Sequence, residues 1–238
     1  MLMPALSYRA IVGAAVVSTA LALAACRRPG EPPQPRAEAT ARLPQGAERE
    51  EAPAVVFLGD SLTAGYGLSE EQAYPALLEA RMHEAGIDLP VVNAGVSGDT
   101  TAGGLSRLDW VLRQKVAVLV VALGANDGLR GVPLDETRRN LARIIERGQA
   151  AGARVVLAGM KLPTNYGPQY RDGFERNYTD LARQYGLPLV PFLLEGVGGV
   201  GRLNQADGIH PTAEGQRLIA DVVWPVLEPL VREAARRA

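Results

Sequence analysis

Residues 54–58, Ala-Val-Val-Phe-Leu, form an unbroken apolar run that passes directly into Gly59-Asp60-Ser61-Leu62-Thr63. A short continuous run ending in glycine suits a strand buried on both faces, as in a parallel sheet. Similar runs follow at 90–93, 116–122, 153–158 and 187–190. Segments with helical spacing separate them, at roughly 70–85, 100–114, 135–151 and 171–185. A last helix is predicted from about Thr212, with Pro225 and Pro229 expected to bend or interrupt it. Gly86, Gly152 and Gly186 stand where helices should stop. Strands alternating with helices in this way predict an α/β fold: a three-layer α/β/α sandwich around a five-stranded parallel sheet.

Ligands of such sheets bind at the carboxyl ends of the strands, so the residues after each run are where chemistry is sought. Ser61, at the first strand-to-helix turn, suits a nucleophile; Asp60 and Ser61 equally suit a helix cap. After the second run comes Asn93-Ala94-Gly95-Val96-Ser97-Gly98-Asp99-Thr100. Gly98 there allows the backbone to approach a ligand and aim an N–H at an anion, or simply makes a turn before a capped helix. After the third run, Gly124-Ala125-Asn126-Asp127-Gly128 offers a side-chain amide for a developing oxyanion, or an ordinary turn. Near the C-terminus stands Asp207-Gly208-Ile209-His210. A carboxylate that close can accept the ring N–H and leave the other nitrogen as a base. The other histidine, His83, falls in a predicted helix and is expected to face solvent.

These four segments together resemble the GDSL, or SGNH, hydrolase superfamily, with Ser61, Gly98, Asn126 and His210 at its four namesake positions. The longer blocks 59–66, 97–100, 126–131 and 162–167 resemble its thioesterase I/lysophospholipase L1/arylesterase subgroup, although Ala125 stands where that subgroup often has glycine. The likeness spans about 54–229 and implies the flavodoxin-like fold of that superfamily. It also implies a mechanism in which Ser61 attacks a carbonyl, His210 takes its proton and Asp207 orients the imidazolium. The N–H groups of Ser61 and Gly98 and the amide of Asn126 would form the oxyanion hole, with no cofactor and no metal. The implied substrate is a small-molecule or lipid ester. Leu129, Arg130 and Tyr166, beside or facing the Asn126 loop, are candidate substrate-binding residues, with ordinary loop packing as the alternative. Two rival readings are a carbohydrate or peptidoglycan O-acetylesterase of the same superfamily and a non-catalytic envelope binding lipoprotein.

Composition narrows the field further. The 238 residues carry 25 basic and 26 acidic side chains, a formal charge of −1, which gives no electrostatic case for nucleic acid as a partner. One cysteine forbids an internal disulfide or a Cys-based zinc site, and two histidines leave too few ligands for a multi-histidine centre. The glycine-rich stretch 196–201 spells G-x-G-x-x-G, but no apolar-periodic helix follows it, so it reads as a loop at the site. At the N-terminus, Arg9 and an apolar run to Ala25 read as a signal peptide over 1–25. Leu23-Ala24-Ala25-Cys26 resembles the bacterial lipobox, in which the cysteine is lipidated and becomes the mature N-terminus. No aspartate follows Cys26 to suggest inner-membrane retention. From Arg27 to Pro53 there are six prolines, five arginines and five glutamates, a composition expected to form a disordered tether over 26–53. The folded domain is then 54–238, expected to be a monomer held in the cell envelope, periplasm-facing at the outer membrane through a lipid anchor, or periplasmic.

Overall fold

The first apolar run becomes β1 (Ala54–Gly59), buried along its whole length. It pairs on one side with β2 (Val91–Gly95) and on the other with β3 (Val116–Ala122), which continues to β4 (Arg154–Ala158) and β5 (Leu189–Val190). The computed structural model describes residues 52–237. The predicted signal peptide, Cys26 and all but the last two residues of the predicted tether lie outside them. Every pairing is parallel, in the order β2-β1-β3-β4-β5. The five-stranded parallel sheet predicted from the apolar runs is the sheet observed.

Parallel strands need crossovers, and these supply helices to both faces. Helices α1 (Ser61–Ala64) and α2 (Tyr74–Glu84) lead from β1 to β2, and α3 (Thr101–Val111) leads from β2 to β3. Next come α4 (Ala125–Leu129), α5 (Leu134–Ala150), α6 (Pro168–Tyr185) and the C-terminal α7 (Ala213–Ala235). Helices α3, α5 and α6 pack side by side as one layer, and α2 packs with α7 in the other. Central β3 is buried at nearly every position, whereas edge strand β2 is largely half-buried. Strand order reverses between β1 and β3, since one neighbour of β1 is reached by going one way and all later strands by going the other. That reversal opens a crevice at the carboxyl ends of β1 and β3.

Helix ends follow the glycines. Beyond α2, α5 and α6, Gly86, Gly152 and Gly186 turn the chain with positive φ. Behind each, Ile87, Ala153 and Leu187 donate an N–H back to Met82, Gly148 and Ala182. This is the Schellman closure, which satisfies carbonyls that a helix end leaves unpaired.

Four departures from the sequence reading trace to a proline or a competing hydrogen bond. The segment expected to start a helix at 70 forms one 3₁₀ turn (Glu70–Gln72), and α2 begins at Tyr74. Pro75 fits only a first turn, and the Tyr74 N–H is taken by Gln216 Oε1 at 2.9 Å. Helix α6 starts earlier than expected, at Pro168, again a proline pre-set for a first turn. Strand β5 is shorter than expected because Leu187 closes α6 and Pro188 has no N–H to give the ladder. Helix α7 is not interrupted by Pro225 or Pro229. Both prolines and Asp221 are exposed, so the carbonyls they leave unpaired, at 221 and 225, lie on the solvent side. Buried Ile219, Val223, Leu227 and Leu230 pin the opposite face on both sides of the prolines.

One close contact fixes where α1 sits. A Cβ added to Gly95 at the end of β2 would stand 2.3 Å from Ala64 N and 2.8 Å from the Thr63 carbonyl carbon. Both are backbone atoms and cannot rotate aside. Gly95→Ala is expected to cost about 1–3 kcal/mol and to lower the thermal midpoint by roughly 2–4 °C for each of them. An unchanged midpoint would mean that α1 shifts freely.

Candidate active site

The carboxyl end of β1 turns sharply into α1. Asp60 is the helix N-cap, its Oδ1 accepting the Leu62 N–H at 3.0 Å. Gly59 makes the turn possible, because a Cβ there would lie 2.0 Å from Thr63 Oγ1. Ser61 is the first residue of α1 and is almost buried. Its N–H therefore lies in the first turn, where no helical carbonyl is available to accept it.

The other half of the site arrives from the far end of the chain. Asn204 and Pro211 form an antiparallel bridge, reinforced by Gln205 N–H to His210 O at 2.7 Å and Thr212 N–H to Leu203 O at 2.8 Å. The loop they close carries Asp207 and His210. Asp207 Oδ1 accepts the backbone N–H groups of Ile209 and His210, each at 3.0 Å, and Oδ2 faces His210 Nδ1 at 2.7 Å. His210 Nε2 in turn faces Ser61 Oγ at 2.9 Å. The backbone N–H of His210, then its ring, then the N–H of Ile209 hold the Asp207 carboxyl down to about 2. An ionised carboxylate only accepts, so Nδ1 carries the ring proton and Nε2 of the neutral ring is left to accept from the Ser61 hydroxyl. Such a relay can withdraw a proton from a hydroxyl as it attacks.

Donors for a developing negative charge surround Ser61 on the other side. Gly98, with φ of 81°, carries a backbone N–H that, like that of Ser61, has no acceptor among the described residues. The Asn126 amide donates to Asp99 O at 2.9 Å and makes a long 3.4 Å contact with Asp60 Oδ2. That weak contact leaves its second hydrogen the easier one to lend. Arg107 joins the loops by binding Asp99 Oδ2 at 2.7 Å and Gly59 O at 3.0 Å. Beneath them, buried Asp127 accepts the Thr101 N–H at 2.8 Å and its hydroxyl at 2.5 Å, tying α4 to the start of α3. Residues from β1, β2, β3 and the C-terminal loop, up to 149 positions apart, thus meet at the crevice.

The sequence profile of the GDSL-like Lipase/Acylhydrolase family matches residues 57–218. The chain belongs to this family. It is 48% identical over 181 residues to Esterase TesA of Pseudomonas aeruginosa, covering 76% of this chain and 90% of that one. It is 41% identical to Thioesterase 1/protease 1/lysophospholipase L1 of Escherichia coli K12, covering 76% of this chain and 86% of that one. The crystal structure of the psychrotrophic esterase EstA from Pseudoalteromonas sp., inhibited by monoethylphosphonate, superposes with a TM-score of 0.71 at 33% identity. That match covers 75% of this chain and 98% of the other. The family member described here is accordingly an enzyme that hydrolyses acyl esters.

A groove of about 440 Å³ runs from Ser61 and His210 along the sheet edge, walled by Leu62, Leu129, Met160, Leu162, Phe192 and Leu194. Of the three candidate substrate-binding residues, Leu129 lines it, whereas Arg130 and Tyr166 do not. Arg130 donates to Gly98 O at 3.0 Å and the Tyr166 hydroxyl to Leu129 O at 3.0 Å, so both clamp the loop that carries Asn126. His83 is exposed on α2, away from these groups, as expected. The glycine-rich loop lines the groove through Gly198 and Gly199, and Asn204 pins it by donating to Val197 O and Val200 O. Tyr66 was visible in the sequence only as part of a block. Its ring lies over His210, centroids 4.5 Å apart, while Gln205 holds its backbone carbonyl at 2.7 Å.

Asp60 is the second carboxyl that sequence reasoning underrated, since it is buried as well as capping. Burial pushes it up to about 6, with nearby Asp99 and Asp127 adding to the rise and the Leu62 N–H opposing it. Between its ordinary 3.8 and about 6 the folded chain keeps this proton and the unfolded chain has lost it. Stability therefore falls as pH rises through that window, by roughly 3 kcal/mol in all. Asp60→Asn keeps an oxygen to cap Leu62 and removes the titration. Relative to the parent, its stability is expected to rise by roughly 3 kcal/mol between pH 3.5 and pH 8 in urea unfolding. A difference that stays constant with pH would rule out this cost of ionising Asp60.

Proposed function

We propose that this enzyme cleaves carboxylic esters, and thioesters, through an acyl-enzyme on Ser61. The observation that carries the reading is the Asp207–His210–Ser61 relay, at 2.7 and 2.9 Å, set beside unengaged N–H donors. Ser61 Oγ attacks the carbonyl carbon as its proton passes to His210 Nε2, and the Asp207 carboxylate stabilises the imidazolium. The oxyanion is met by the N–H groups of Ser61 and Gly98 and the amide of Asn126. The intermediate collapses, His210 protonates the departing alcohol or thiol, and the acyl group stays on Ser61. Water then attacks with His210 again as base, and the acid leaves. The apolar groove suits an acyl chain, which favours aryl esters and lysophospholipids among the substrates.

Ser61→Ala is expected to lower turnover of a chromogenic aryl ester by roughly 10⁴-fold or more, and Asn126→Ala by about 100–1,000-fold. An alkylphosphonate should label the parent at Ser61, read by peptide mass. Near-normal activity in Ser61→Ala, or labelling elsewhere, would sink the assignment.

The sequence around Cys26 supports the further reading that the chain is a lipid-anchored protein of the cell envelope. Two or more acyl chains on one residue hold a protein on a bilayer stably. Cells fed radiolabelled palmitate should label the parent and not Cys26→Ser; equal label in both would exclude a lipid on this cysteine.

A further inference from the structure

Six large apolar side chains are exposed among the described residues: Tyr66, Val96, Trp110, Leu129, Val200 and Ile209. Only Trp110, on α3, stands away from the carboxyl edge of the sheet. The other five come from four different loops, following β1, β2, β3 and β5, so closeness in sequence does not gather them. Each is bound up with the site. Tyr66 lies over His210, and Leu129 and Ile209 line the groove. Val200 follows Gly199, a lining residue, and Val96 begins the turn that presents Gly98. Single exposed apolar residues are ordinary, but five of six gathered in loops at one edge of the sheet are not a random scatter.

We propose that this rim is a docking surface for lipid, from which the enzyme draws its ester substrate; the inference rests on hydrolysis at Ser61. Whatever seats on the rim lies over Ser61. A protein there would stop the groove, whereas a lipid surface would feed it. Leu129 and Ile209 belong to both rim and groove, so an acyl chain can pass inward without its apolar surface meeting water. The rim also carries Tyr66 and Arg130, an aromatic with a polar tip and a cation, which suit the headgroup level of a bilayer. An anchor is compatible with this orientation. The 28 residues from Cys26 to Pro53 enter the domain at the amino end of β1, opposite the rim. Their contour reaches about 90 Å, against a breadth of roughly 40 Å for a domain of this size.

Val96→Ser with Val200→Ser tests the rim, because neither side chain lines the groove. In the full chain the double variant is expected to hydrolyse dissolved p-nitrophenyl butyrate within about twofold of the parent rate. Its rate on a lysophosphatidylcholine carried in phosphatidylcholine vesicles should fall about fivefold or more. Parent and variant share one N-terminus, so any anchor acts on both alike. Val200→Trp should gain a blue-shifted emission on addition of vesicles, and Trp110→Ser should alter neither rate. Equal rates for parent and double variant on both substrates, or no vesicle-induced shift in Val200→Trp, would overturn the proposal. A shift that appears with protein concentration alone would also overturn it, marking the face as a contact between copies. A parent inactive on dissolved butyrate would instead bring down the Ser61 reading, and the docking proposal with it.

Discussion

A parallel sheet whose strand order reverses leaves one place along its carboxyl edge that its own connections cannot cover. Here that place lies between β1 and β3, because the chain leaves β1 in one direction and returns past it in the other. The turn after β1 delivers Ser61 to the gap and the turn after β3 delivers Asn126. The turn after β2, on the far side of β1, leans in through Arg107, Arg130 and the Thr101–Asp127 contacts. Ser61 and Asn126 reach the site because the sheet presents a rigid row of strand ends there, and the bridged loop before α7 brings Asp207 and His210 to meet them. The helices on both faces follow from the same rule, since parallel pairing needs long crossovers.

Two carboxyl groups within this small space show how environment, not residue type, decides protonation. Asp207 is open to solvent yet accepts from two backbone N–H groups and a ring N–H, and is held near 2. Asp60 accepts one good backbone hydrogen bond but is buried beside two further acids, and rises to about 6. The first stays ionised well below neutral pH and is suited to steady an imidazolium. The second is a liability in stability, tolerated where it caps α1 and neighbours Asn126.

The fold was legible because its signals are local. Five apolar runs, three helix-stopping glycines and the chemistry-bearing turns behind the runs could be read one at a time. What escaped were outcomes of competition between local preference and distant partners. Tyr74 starts a helix late because Gln216, from the opposite end of the chain, takes its N–H. Pro225 and Pro229 sit within an unbroken helix because buried residues on the other face hold it. The relay residues could be named because Asp207 and His210 are near in sequence and the family resemblance supplied Ser61. Arg130 and Tyr166 could be placed near the site but not oriented, since their targets are backbone carbonyls on other loops. Carbonyls carry no mark in a sequence. Tyr66 is hidden for a related reason: a ring tilted over a histidine more than a hundred residues away follows no spacing rule.

Asp207 and His210 share one bridged loop, so their mutual geometry is settled within ten residues, between Leu203 and Thr212. The acid–base pair is in effect a preassembled cartridge. It meets the segment after β1 at three points, His210 against Ser61, Gln205 on the Tyr66 carbonyl and the Tyr66 ring over His210. Displacement of this loop therefore moves acid and base together, changing their distance to Ser61 and Tyr66 while the hydrogen bonds between them, internal to the loop, are kept.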